Sequence, residues 1–156
     1  MGILLVIGLL LSALPGSPPS AYACSCADGP TLREWIELAD AIFAGRVIST
    51  ERVGEMTRSW VERTGRYPFT RVDLEVRLIW KGKVGPRVVI GTGIGGGDCG
   101  FEFTRGRDYL VFGTGRYPPS DPNDPALWTG LCEPTDLIAA SAPALRMLGL
   151  GRAPSP

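Results

Sequence analysis

Thr70-Arg71-Val72-Asp73-Leu74-Glu75-Val76-Arg77-Leu78-Ile79-Trp80 alternates apolar and charged residues almost without a break. Such a repeat belongs to a β-strand, in which successive side chains point to opposite faces. Val72, Leu74, Val76, Leu78 and Trp80 are expected on one face, and Arg71, Asp73, Glu75 and Arg77 on the other. One face is then core and the other meets water, which is the pattern of an antiparallel sheet.

Working outward, Lys81-Gly82-Lys83 turns the chain, and Arg87 to Thr92 reads as the next strand. Asp108 to Phe112 is a fourth strand. Leu127 to Cys132 is a short fifth, after the Pro-rich loop Tyr117 to Pro125. On the N-terminal side, Ala41 to Ser49 is the first strand, and Gly45 within it marks a bulge or a close backbone approach. Between these two strands, Glu51 to Tyr67 is polar and punctuated by glycine, so it is expected to be a long loop or a protruding hairpin. Trp60 lies in it, either exposed for an interaction or folded back on the sheet. Five strands with a long excursion between the first two give a mainly β fold, a small closed or partly open barrel of the OB type.

Helices flank this barrel. Thr31-Leu32-Arg33-Glu34 is a capping box, and Leu32, Trp35, Ile36 and Ala39 follow at helical spacing. The expected helix spans about residues 32 to 39, with Trp35 as a core anchor. Thr135 is expected to cap a last helix carrying Leu137, Ile138, Leu145 and Leu148, kinked at Pro143 and ended by Gly149. Gly151 to Pro156 reads as a flexible tail.

The N-terminus has a different character. Ile3 to Leu14 is an apolar run too short to cross a bilayer comfortably, and Ala21-Tyr22-Ala23 is a signal-peptidase site. No Lys or Arg follows Met1, which is atypical of a signal. Residues 1–23 are read as a signal peptide, 24–150 as the folded domain and 151–156 as the tail. The protein is then secreted, extracellular or periplasmic, with no transmembrane segment once the signal is removed.

Charge excludes some functions. Sixteen basic residues balance sixteen acidic ones, so electrostatics gives no reason to expect nucleic-acid binding. There is no histidine. That removes a Ser-His-Asp triad, a Cys-His pair and any histidine metal site. The expected partner is a protein met by a monomer of this chain.

Four cysteines in an exported chain imply two disulfides. A bond between Cys24 and Cys26 closes too small a loop. Both remaining pairings tie the terminus to Cys99 and Cys132, each ring worth on the order of 4 kcal/mol in the chain-entropy account.

Other motifs are weaker. Gly91-Thr92-Gly93-Ile94-Gly95-Gly96 fits G-x-G-x-x-G, but Gly97-Asp98-Cys99-Gly100 follows where a dinucleotide site needs a helix. Asp73 and Glu75 lie on a solvated strand face beside arginines, which argues against a glycosidase pair. Cys24-x-Cys26 has no second cysteine pair at zinc spacing. An enzymatic activity is not expected, and neither is a cofactor of its own.

Cleavage after Ala23 would make Cys24 the first residue. Its α-amine and carbonyl form a five-membered chelate, and the amine has a pKa near 8. Disulfides at Cys24 and Cys26 would hold that chelate rigid, able to fill the open position of a partner's catalytic zinc. The plainer reading is that the disulfides only pin the end of a small secreted domain.

Cys24-Ser25-Cys26 after the signal, Ala39-Asp40-Ala41-Ile42-Phe43-Ala44-Gly45-Arg46-Val47, Trp80-Lys81-Gly82, Cys99-Gly100, Tyr109-Leu110-Val111-Phe112 and Thr129-Gly130-Leu131-Cys132 occur in this order. Together they resemble the netrin-like superfamily, and within it the inhibitory domain of the tissue inhibitors of metalloproteinases. The resemblance implies an OB barrel with flanking helices and the pairings Cys24–Cys99 and Cys26–Cys132. It also implies a wedge: Cys24 would chelate the zinc of a metalloprotease, and Ser25 would enter its primed-side pocket. Cys26, Cys99 and Gly100 would belong to the contact ridge, with Glu51 to Tyr67 and Gly95 to Gly100 as accessory loops. Animal inhibitors carry a third disulfide that these four cysteines cannot make. The resemblance also admits a non-inhibitory binding module of the cell envelope, with or without a lipid on Cys24.

Overall fold

The computed structural model of the chain describes residues 24, 26, 28–55, 57–64, 67–115 and 124–155. The signal-peptide reading, Ser25, and most of the Pro-rich loop therefore lie outside the described residues. The fold is mainly β, one six-stranded sheet with short helices and two disulfides.

The spine is a long antiparallel pair, β1 (Ala41–Val53) and β2 (Phe69–Lys81). β3 (Arg87–Thr92) pairs with β2, and β4 (Asp108–Gly113) with β1, both antiparallel. β5 (Leu127–Trp128) runs parallel to β3, and β6 (Asp136–Leu137) antiparallel to β4. The order is β5-β3-β2-β1-β4-β6. Thr114, just past β4, exchanges two backbone hydrogen bonds of 2.8 Å with Trp128 of β5. The sheet therefore curls into a half-barrel, with Phe43, Val47, Val72, Leu74, Ile90 and Val111 among the side chains packed inside.

A second apolar layer lies outside β1 and β4. Ile42, Leu110 and Phe112 pack there against α1 (Leu32–Leu38) and α3 (Ala142–Leu148). The Thr31–Glu34 capping box is present, and Trp35 is buried as the anchor of α1. Lys81 closes the other end of α1. Its Nζ donates to the carbonyls of Ile36 at 3.0 Å and Glu37 at 2.6 Å, where a helix offers unpaired acceptors.

Several boundaries differ from expectation, each for a local reason. The alternation in β2 breaks after Val76. Gly45 faces Val76 while Ala44 faces Leu78, so Arg77 is an extra residue on β2, and Trp80 is skipped likewise between Ile79 and Lys81. One extra residue exchanges the faces of all that follow. Ile79 turns into the core at 1 % exposure, and Leu78, expected inside, is 41 % exposed. Trp80 joins the outer layer and donates its indole N–H to the carbonyl of Gly149 at 2.9 Å.

The polar stretch after Ser49 continues β1 to Val53 and then forms a short helix, α2 (Arg58–Thr64), which the sequence reading did not anticipate. The last helix begins later than expected. Thr135 is not its cap but precedes β6, a sixth strand, and Pro143 sits in the first turn of α3, where its missing N–H does no harm. Beyond it, Arg152 exchanges two backbone hydrogen bonds with Ile79, so this part of the expected tail is paired to β2.

Candidate functional site

The register gathers three loops at one end of the sheet. Val53 pairs with Phe69, Thr70 with Thr92, and Gly91 with Trp128. The segments that leave these positions are 54–68, 93–107 and 129–135. The chain start is fastened to the same end by two disulfides, Cys24–Cys99 and Cys26–Cys132, with Cα separations of 5.2 and 5.3 Å. These are the pairings that the family resemblance implies. They bring Cys24, Cys26, Cys99, Gly100 and Cys132 into one ridge from distant parts of the sequence. Ser25 lies outside the described residues.

The loop after β3 is built around one carboxylate. Asp98 accepts from the backbone N–H of Ile94 at 2.7 Å, Gly95 at 3.0 Å and Gly100 at 3.1 Å. A run of glycine lets these amides converge. A Cβ on Gly93 would lie 2.6 Å from the Asp98 carboxyl carbon, and one on Gly100 would lie 2.3 Å from the backbone of Gly93. The G-x-G-x-x-G pattern thus forms a nest of amides, a usual anion cradle, whose anion is the chain's own aspartate. A single 3-10 turn, Gly96–Asp98, stands where a nucleotide site would need a helix.

Cys99 follows in the left-handed region at φ 57°, a conformation that L-residues other than Asn and Asp seldom adopt. It is held from the other side as well. Its carbonyl accepts from the N–H of Leu131 at 2.8 Å, and a Cβ on Gly130 would meet that oxygen at 2.7 Å. Further in, Thr92 accepts from the N–H of Phe101 at 2.8 Å, and the Phe101 ring packs tilted against Phe103 and edge-on to Tyr109. The ridge therefore rests on a packed aromatic base. Cys26 is exposed and Cys24, Cys99 and Cys132 are half-buried, while Leu131 beside them is 51 % exposed.

The sulfurs of Cys24, Cys26 and Cys132 lie within 4.8 Å of one another. All belong to disulfides, so none is a thiolate, the form in which cysteine binds zinc. In this oxidised form the three sulfurs are disulfide sulfurs rather than a set of thiolate ligands.

The sequence reading missed Asp98 and the support from Leu131. An Asp inside a Gly-rich run was the available signal, because Asp binds nearby backbone amides in turns. Of the accessory loop Glu51 to Tyr67, the described part includes α2 at the tip of the β1–β2 pair, but the Trp60 side chain lies outside what is described.

No protein-family model matches the chain, and no curated protein matches it either.

Proposed function

We propose that the chain is a secreted, metalloprotease-inhibitor-like protein that presents its processed N-terminus to the catalytic zinc of a partner protease. The observation that carries this reading is the ridge itself. Two disulfides, the Asp98 cradle and the Leu131 hydrogen bond fasten Cys24 and its neighbours at one end of a rigid sheet. A chelating terminus held in this way loses little entropy when it binds. Cys24 would supply its amine and carbonyl to the zinc, Ser25 would enter the adjoining pocket, and Cys26, Cys99 and Gly100 would bear on the cleft rim.

The fold reading that accompanies this proposal is an OB-type barrel of the tissue-inhibitor and netrin-like kind. It is supported by the parallel β3–β5 pair and by the Thr114–Trp128 hydrogen bonds, which bring β4 and β5 together. β6 would then be an addition to a five-stranded barrel. Secretion is supported by the two disulfides, which suit an oxidising compartment. No helix among the described residues is long and apolar enough to cross a membrane.

One observation favours the second reading, a non-inhibitory binding module. An open groove of about 460 Å³ lies on the outer face, with Gly45, Leu78, Trp80 and Leu145 lining it and Arg77 and the Arg46–Asp108 ion pair beside them.

The test is a panel of zinc endopeptidases assayed with the exported protein and with two variants, one extended by an alanine before Cys24 and one carrying Ser25→Arg. Inhibition by the native terminus that both changes abolish, with circular dichroism unchanged, is expected. Inhibition that survives the extension would refute the wedge. Binding to an envelope partner that ignores the terminus but responds to Leu78→Glu would establish the module instead.

A further inference from the structure

We propose that the two disulfides form an exchange-coupled pair, with Cys26 as the point of attack for an external dithiol. The inference stands apart from the inhibitor reading and rests on where the sulfurs lie. Cys24, Cys26 and Cys132 hold their sulfurs within 4.8 Å of one another, although Cys24 is bonded to Cys99 and Cys26 to Cys132. Cys26 is the exposed member, and the other three are half-buried. Access and the proximity of the next sulfur decide the course of thiol–disulfide exchange.

The sequence of steps follows from this arrangement. A thiolate of the dithiol attacks the Cys26 sulfur, forming a mixed disulfide and displacing the Cys132 thiolate. That thiolate already lies beside the Cys24 sulfur. It attacks there, forms Cys24–Cys132 and displaces the Cys99 thiolate. The second thiol of the reductant then closes its own disulfide and releases Cys26. Two electrons pass from the dithiol to the protein, and its two thiol protons end on Cys26 and Cys99. The product holds one disulfide, Cys24–Cys132.

Chain entropy does not separate the rearranged one-disulfide product from the one that keeps Cys26–Cys132. The native Cys26–Cys132 bond has a sequence separation of 106, and Cys24–Cys132 closes a ring of nearly the same length. The terminus therefore stays attached at Cys132 while Cys99 is released. The Cys99 loop keeps its shape through Asp98, but it no longer holds Cys24. One reduction event thus detaches Cys24 from the Cys99 loop without unfolding the sheet.

The folded, oxidised protein is treated with limiting dithiothreitol, arrested with acid, alkylated and mapped by mass spectrometry. A one-disulfide species with Cys24 joined to Cys132 and with Cys26 and Cys99 alkylated is expected. The proposal is overturned if every one-disulfide molecule retains a native bond, whether Cys24–Cys99 or Cys26–Cys132, or if the mixed disulfide trapped by the acid carries the reductant on Cys99 rather than Cys26. The unmodified chain is used, so no variant has to fold for the answer to be read.

Discussion

The indole of Trp128 lies directly on Gly91, so close that a Cβ at that position would stand 2.7 Å from the ring. The contact joins β3 to β5 and places Trp128 against Phe69, with ring centroids 5.0 Å apart. Trp128 also exchanges backbone hydrogen bonds with Thr114, so this one residue ties the β5 edge of the curled sheet to the end of β4. Gly91→Ala is expected to destabilise the fold by about 1–3 kcal/mol, as an added methyl does in a packed site. The check is a lowered urea midpoint with an unchanged m-value.

Thr135 is buried and accepts from the N–H of Phe112 at 2.9 Å, while its hydroxyl lies 2.7 Å from that of Thr129. Thr135→Val keeps the shape and leaves that amide unpaired. A loss of about 1–3 kcal/mol is expected, the usual penalty for a buried donor without an acceptor. Hydrogen exchange at the Phe112 amide should accelerate more than at neighbouring amides of β4.

Asp98 organises the loop that carries Cys99 through three backbone amides. Asp98→Ala should lower stability by about 1–2 kcal/mol, the scale of losing a capping side chain. Faster exchange at Ile94, Gly95 and Gly100, with the strands unaffected, is the expected pattern. If the ridge binds a protease, the same variant should weaken inhibition, and Asp98→Asn should restore part of it.

Among the described residues, two carboxylates are held below their ordinary values and contribute to the response to acid. The hydrogen bonds from the Thr31 side chain and backbone hold Glu34 below its ordinary value, and the hydrogen bond from Arg46 does the same for Asp108. A lowered folded-state value means that the unfolded chain binds more protons. The stabilisation is therefore fully present above the ordinary carboxylate range and is lost as pH falls through the lowered folded-state values. Glu34→Gln should be less stable than the native chain at neutral pH, and the gap should close in acid. Thermal melts of both proteins across the acid range read this directly.

Legibility in the sequence followed the range of the interactions. The capping box of α1 and the span of β3 were readable, because each depends on residues a few positions apart; Gly45 signalled the close approach to the Glu75 backbone, but not that the extra residue of that irregularity lies on β2. The breaks in β2 were not. The extra residues Arg77 and Trp80 exist only relative to β1, and a strand read alone gives no sign that its partner is one residue short. Likewise α2 hid in a polar stretch. β6 was absorbed into an expected helix because the pairing of Leu137 with Tyr109 is a long-range contact.

By itself, the sequence determined the β period of Val72 to Val76, the two-disulfide chemistry of four cysteines, and the absence of histidine chemistry. Those are properties of residue type and near-neighbour spacing. Only the tertiary structure decided that Asp98 fills its own amide nest, that Ile79 rather than Leu78 enters the core, and that three sulfurs from two disulfides share one small volume. Each of these depends on which distant backbone lies alongside, and that is fixed by the register of the curled sheet.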